Sequence, residues 1–262
     1  VRTGYRRLAP NCNHPQEFLM LLFDAHLDLA LNAIDWNRDL RQSVESIRAQ
    51  ESELGMTAPG RRNNTLSFPE LQAAGVGVCL TTLLARHEST INDDFGHISP
   101  QGCYAMAHAH LAYYRAMEHD GWVRIIRSKS ELDEHLTAYQ AAPETEPLGI
   151  IITMEGADPL LLPNTIHEFY EQGLRALGLT HYGPNRYGGG TNSEVGLALD
   201  AVELLEYCEK LGITIDLTHL SDAAFWQVLD NFGGRVHASH QNSRRICDWQ
   251  RQFSDQQYQA VI

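Results

Sequence analysis

Six short apolar runs, rich in Ile, Val and Leu and separated by stretches of helical periodicity, constrain this chain more than any other feature. They cover residues 18–23, 76–84, 148–154, 174–180, 212–218 and 235–239. Several show little polar alternation, as strands covered on both faces should. Between them, 102–120 places Ala105, Leu111, Tyr114 and Met117 at helical spacing, and 197–210 does the same with Leu197, Val202, Leu204, Leu205 and Cys208. Ser221-Asp222 offers an N-cap for a third helix, closed by Gly233-Gly234. Strand–helix alternation of this kind predicts an α/β fold with a parallel sheet and outer helices, a (β/α)8 barrel of the TIM type forming one catalytic domain over 1–262. A full barrel needs two strands more than these six, and 254–262 reads as a helix. The chain is therefore expected to lack the C-terminal part of its barrel, an open sheet being the other arrangement.

The ionisable residues fall where such a fold would use them. Asp24-Ala25-His26-Leu27-Asp28 follows the first run; Glu155-Gly156 follows the third, and His181, His219 and His240 follow the fourth, fifth and sixth. Side chains alternate along a strand, so 24, 26 and 28 share a side, and His26 and Asp28 can chelate one cation with Asp24 supporting them. Strand C-termini converge on one face of a barrel and carry its chemistry. A single histidine after a strand is more often a hydrogen-bonded loop residue than a ligand, and Glu155 alone could cap a helix. Five of six strands ending in His or carboxylate is a different matter, because ionisable groups are rare in such positions unless paired or bound to metal. The set suits one or two borderline metals, zinc above all. Only Lys129 and Lys210 could supply a carboxylated lysine bridge and neither follows a strand, which leaves Glu155 to bridge two ions, with a metal-bound hydroxide as nucleophile. The remaining histidines are expected elsewhere: His108, His110 and His119 solvated on their helix, His14, His87, His97, His135 and His167 on loops or helix surfaces, and His237 facing away from His240.

Charge and composition narrow the partners. Lys plus Arg total 20 against 33 Asp plus Glu, a net charge of −13, which argues against binding nucleic acid or anionic membranes. Hydrophobic residues make up 43%, as in ordinary globular chains, and no apolar run reaches membrane-spanning length. Five scattered cysteines suit free thiols, and a cytoplasmic location is expected. Residues 51–65, with Gly55, Pro59, Gly60 and Asn63-Asn64, read as a surface loop.

Taken together and in this order, Asp24-Ala25-His26-Leu27-Asp28, Glu155-Gly156, Leu179-Thr180-His181, Ile215-Asp216-Leu217-Thr218-His219, Ala238-Ser239-His240 and Arg251-Gln252-Phe253-Ser254-Asp255 resemble the renal (membrane) dipeptidase family, the M19 metallopeptidases. Phe68-Pro69-Glu70-Leu71 and 81–86 are similar to its bacterial members. The resemblance implies two zinc ions, one on His26 and Asp28, the other on His219 and His240, bridged by Glu155. It implies that His181 polarises the scissile carbonyl and that Arg251 binds the substrate carboxylate, the substrate being a dipeptide that can carry a C-terminal D-residue. N-acyl-D-amino acid deacylation on the same site, or a non-catalytic metal-binding relative, are the alternatives. The family also carries a proton-shuttling aspartate after its eighth strand; Asp255 does not match it, and no residue here takes that role. A homodimer is plausible by family likeness.

Overall fold

The computed structural model describes residues 21–88 and 96–262. Among the described residues nine strands follow one another: β1 Leu22–Leu27, β2 Val76–Leu83, β3 Val123–Ile125, β4 Leu148–Glu155, β5 Leu174–Gly178, β6 Pro184–Asn185, β7 Gly188–Gly189, β8 Thr214–Asp216 and β9 Val236–His237. The helices are α1 Val44–Glu53, α2 Phe68–Ala73, α3 Pro100–His119, α4 Lys129–Ala141, α5 Ile166–Glu171, α6 Leu199–Leu211, α7 Asp222–Asn231 and α8 Asp255–Val261, with a single π-helical turn at Leu31–Asp35.

The main sheet runs β1-β2-β4-β5-β8-β9, and every pairing within it is parallel. Gly149 and Ile150 of β4 pair with β2 on one edge and with β3 on the other, and β5 takes over that second edge from Ile152. The short β6–β7 hairpin stands apart. Helix starts follow local chemistry: the hydroxyls of Ser43, Ser99, Ser128, Ser221 and Ser254 each accept a backbone N–H of the first turn. Gly212, at φ +72°, ends α6 in the left-handed conformation that glycine adopts without strain. The core lies between the helices and the strand sides: Ile150, Ile152 and Met154 of β4, Leu177 of β5 and Ile215 of β8 are fully buried, as are Tyr114, Leu204 and Phe225 from α3, α6 and α7.

The sheet is curled. β1 and β9 are the two ends of its path, and six strands laid flat at about 4.8 Å spacing would part them by about 24 Å. The rings of His26 in β1 and His240 just after β9 instead lie 3.7 Å apart, centroid to centroid. This is a partial (β/α) barrel, seen from sequence in class and order but not in every element. The first strand is not 18–23 but Leu22–Leu27, so Asp24 and His26 lie inside it; residues 18–20 fall outside the described residues. Among the described residues the sheet has seven strands, not six, because β3 is only three residues long, too short for a periodicity signal. Glu51 is not in a surface loop: it belongs to α1 and is buried. His110 and His135 are fully buried too, held by Asp35 Oδ2 at 3.0 Å and by the Gly77 carbonyl at 2.9 Å.

Candidate active site

The strand ends build the site one side chain at a time. Register between β1 and β2 slips from Asp24 to Leu27. Within that irregular stretch Asp24 Oδ1 accepts the His26 N–H at 3.0 Å. Asp24 therefore acts on the backbone of His26 rather than on its imidazole. Asp28, just past β1, accepts the buried Thr82 hydroxyl at 2.5 Å, while Asn32 Nδ2 donates to its carbonyl at 2.9 Å. β2 thus contributes a hydroxyl that orients a carboxylate.

Glu155 ends β4, 8% exposed, and its two oxygens face different neighbours. Oε2 is 3.5 Å from His26 Nε2, and His26 Nε2 is also 3.5 Å from Asp28 Oδ1. Oε1 is 3.1 Å from His219 Nε2, 3.4 Å from His240 Nε2 and 3.9 Å from His181 Nε2. Burial pushes the Glu155 carboxyl up, but the close imidazoles of His219, His240 and His26 outweigh it and hold the group well below the usual carboxylate range. Burial pulls His26 down; Asp28 and Glu155 overcome that and leave it pushed up to about 10. The two carboxylates thus draw positive charge into the centre. His181 goes the other way, pulled down to about 4 by burial despite Glu155.

His219 sits at φ +71°, a left-handed backbone conformation that costs a non-glycine residue about 1 kcal/mol or more. Its Nδ1 is 2.9 Å from the Thr191 hydroxyl, which donates its own proton to the His219 carbonyl at 3.4 Å. A hydroxyl has one proton, so Thr191 accepts from Nδ1–H, and Nε2 keeps its lone pair. Arg251 agrees with that assignment. It lies buried in the segment between β9 and α8 and donates from Nη2 to His219 Nε2 at 3.3 Å and to the His240 carbonyl at 3.1 Å, while Nη1 donates to Gln241 Oε1. The Nε2 atoms of His219 and His240 are only 3.2 Å apart.

These groups open onto a cavity of about 560 Å³ lined by His26, Asp28, Glu155, His181, His219, His240 and Arg251. Of the site residues expected from sequence, Asp24 alone stands outside it, beneath His26. Trp36, Leu31 and Leu84 form an apolar side of the cavity; Tyr182 and Arg86 complete its wall. Sequence reasoning misses Thr82, Thr191, Tyr182 and Trp36 as parts of the site, and it gives Asp216 and Ser239 no role. A hydroxyl one or two strands away carries no periodic signal, whereas Asp216 and Ser239 stand inside recognisable motifs.

The membrane dipeptidase family model, peptidase family M19, matches residues 18–262. The chain belongs to this family. Its curated relatives include an uncharacterized protein in the PQQ-III 3′ region of Acinetobacter calcoaceticus, 32% identical over 123 residues, 44% of this chain and 39% of the relative. Another is the dipeptidase verJ of Clonostachys rogersoniana, 29% identical over 97 residues, 36% of this chain and 25% of the relative. The matches span well under half the length of these relatives. Among solved structures, the fold matches the dipeptidase AC, a metallo peptidase of family M19, with a TM-score of 0.70 at 21% identity, covering 92% of this chain and 69% of that one. A metallo peptidase from Rhodobacter sphaeroides, liganded with a phosphinate mimic of L-Ala-D-Ala, matches with a TM-score of 0.70 at 20% identity over 92% and 70% of the two chains.

Family membership implies a metal cofactor, and the donor set fits one: His26, Glu155 and His240, and likewise Glu155, His181 and His219, each bring three ligand atoms within 4.8 Å of one another. Among the described residues no helix is long and apolar enough to cross a membrane.

Proposed function

We propose that this protein hydrolyses dipeptides, including those with a C-terminal D-residue, at a centre of two divalent ions, zinc being the metal that imidazole and carboxylate ligands suit. The observation that carries this reading is Glu155, whose two oxygens address two separate sets of imidazoles. In this reading His26 and Asp28 would hold one ion, His219 and His240 would hold the other, and Glu155 would serve both. Proximity alone would admit His181 as a ligand beside His219. The ring nitrogens favour the other division. The Nδ1 atoms of His219 and His240 each rest on a hydroxyl, at 2.9 and 2.7 Å, as ligand histidines usually do, whereas Nδ1 of His181 has no hydrogen-bond partner among the described residues.

Bound divalent ions supply acidified water and polarise a carbonyl. The side chains do the rest. His181, neutral at pH 7, presents an N–H to the oxygen that gains charge as the amide is attacked. Arg251 offers a planar fork to the substrate carboxylate, and its bonds to Gln241 and the His240 carbonyl fix that fork in place. The bound dipeptide mimic of the Rhodobacter relative supports a C-terminal D-residue.

A specific observation keeps N-acyl amino acids in play as substrates. The only carboxylates lining the cavity among the described residues are Asp28 and Glu155, both committed to metal in this reading, so none is left for a free α-ammonium. Parallel assays on L-Ala-D-Ala and an N-acetyl-D-amino acid separate the two substrates. The test of the centre is elemental analysis of the purified protein with L-Ala-D-Ala turnover measured with and without chelator. About two ions per chain and chelator-sensitive turnover are expected. Absence of metal overturns the reading, and bound metal without turnover replaces it with a non-catalytic relative.

A further inference from the structure

We propose that Asp216 is a positioning residue that sets two imidazoles at once, His219 through the backbone and His240 through the hydroxyl of Ser239. The carboxylate is 7% exposed and lies between the ends of β8 and β9. Oδ1 accepts the N–H of Thr218 at 3.0 Å and the N–H of Ser239 at 3.1 Å; Oδ2 accepts the Ser239 hydroxyl. His237 Nε2 is the other charged neighbour, 3.7 Å from Oδ2. The bond to Thr218 closes the turn that delivers His219 in its left-handed conformation.

Proton bookkeeping gives the second arm. An ionised carboxylate only accepts, so the single proton of the Ser239 hydroxyl is spent on Oδ2. Ser239 Oγ is also 2.7 Å from His240 Nδ1, and having no second proton to give it must accept there. Nδ1 of His240 therefore carries the ring proton, and Nε2 presents its lone pair toward Glu155 Oε1 and His219 Nε2. Asp216 touches no reacting atom. It decides which face of His240 is a ligand.

The replacement Asp216→Asn keeps the shape and reverses the relay. Two N–H donors converge on the Oδ1 position, so the amide oxygen has to remain there and the NH₂ group turns toward Ser239. The serine then donates to Nδ1 of His240 and moves the ring proton to Nε2, away from the ligand tautomer. Removing the hydroxyl as well, in the double variant Asp216→Asn/Ser239→Ala, frees the ring to take either tautomer.

The metal half of this proposal rests on the two-ion reading; the tautomer half rests on the hydrogen bonds alone. Long-range ¹H–¹⁵N spectra of the metal-free full chain, with His240 assigned through His240→Gln, read the tautomer directly. Nδ1–H is expected in the wild type and Nε2–H in Asp216→Asn, and the same tautomer in both would overturn the relay. Chelator competition on the loaded protein is then expected to show one of two ions weakened about 10- to 100-fold in Asp216→Asn and regained in part by the double variant. A purely structural role predicts equal weakening of both ions and a double variant no better than the single one. Should Asp216→Asn fail to fold, Ser239→Ala alone carries the test: it is expected to show a mixture of tautomers, and a pure Nδ1–H form would count against the proposal. A wild type without metal would sink the two-ion reading while leaving the tautomer result standing.

Discussion

Two buried glutamates carry different parts of this molecule. Glu51 accepts Arg38 Nε at 2.8 Å and Nη2 at 3.3 Å, Arg61 Nη1 at 3.0 Å, and the backbone N–H of Arg62. Glu155 meets four imidazoles. Burial works against both carboxylates, and nitrogen neighbours offset it in both. The two clusters part company in the chemistry of those neighbours. A guanidinium is permanently charged and has no lone pair, so the Glu51 cluster is complete as it stands. An imidazole can be neutral and can donate a lone pair, so the Glu155 cluster is able to take up a cation. The first cluster shapes the wall of the cavity: the guanidinium carbons of Arg38 and Arg61 each stand 4.8 Å from the Trp36 ring, and a Cβ at Gly60 would meet that ring at 2.8 Å. The second cluster forms its reactive floor.

The contrast can be broken by substitution. The largest effect is expected from Glu155→Gln, which should lose metal and lower kcat by about 10³-fold or more; retention of two ions by elemental analysis would end its bridging role. His181→Ala should keep its metal and lower kcat by about 10²- to 10³-fold, since only a hydrogen bond to the developing charge is removed. Arg251→Ala should raise KM about 10- to 100-fold for substrates with a free carboxylate and spare those whose carboxylate is blocked; an equal loss on both would refute carboxylate binding.

Glu51→Gln should instead leave metal content unchanged and cost about 3–5 kcal/mol of stability, read as a lower Tm. Acid sharpens the same point. Arginine contacts hold the Glu51 carboxyl at about 2, below its ordinary 4.5, so the unfolded chain binds the proton more readily. Its stabilising contribution is full above about pH 4.5 and disappears as the pH falls toward 2. Between those values the stability of Glu51→Gln should fall less steeply than that of the wild type, and parallel slopes in denaturant titrations would contradict the assignment.

The two clusters also differ in how far they can be read from sequence. His26, Asp28, Glu155, His181, His219 and His240 stand out because a parallel strand has a C-terminal end, and apolar runs mark where that end lies. Glu51 gives no such signal. Its partners are 10 and 13 residues away on irregular segments, and glycine and asparagine around it suggest an exposed loop. His110 and His135 escape detection for a related reason: helical periodicity tells which face is apolar, but a histidine satisfied by one buried acceptor looks the same in sequence as a solvated one. The positions of Asp216 and Ser239 are legible, and their bond is not, because it joins neighbouring strands rather than neighbours in the chain.

The curl of the sheet gives the centre a mechanical meaning. β1 and β9 share no ladder among the described residues, yet His26 and His240 meet across the space between them. The hoop is fastened at its rim by side chains, and under the proposed division each rim would grip its own ion with Glu155 between them, so that the two ions together would work as a clasp. Filling the clasp and keeping the hoop shut are then one equilibrium seen from two directions. What loosens the rim should release the ion, and what removes the ion should let the rim breathe.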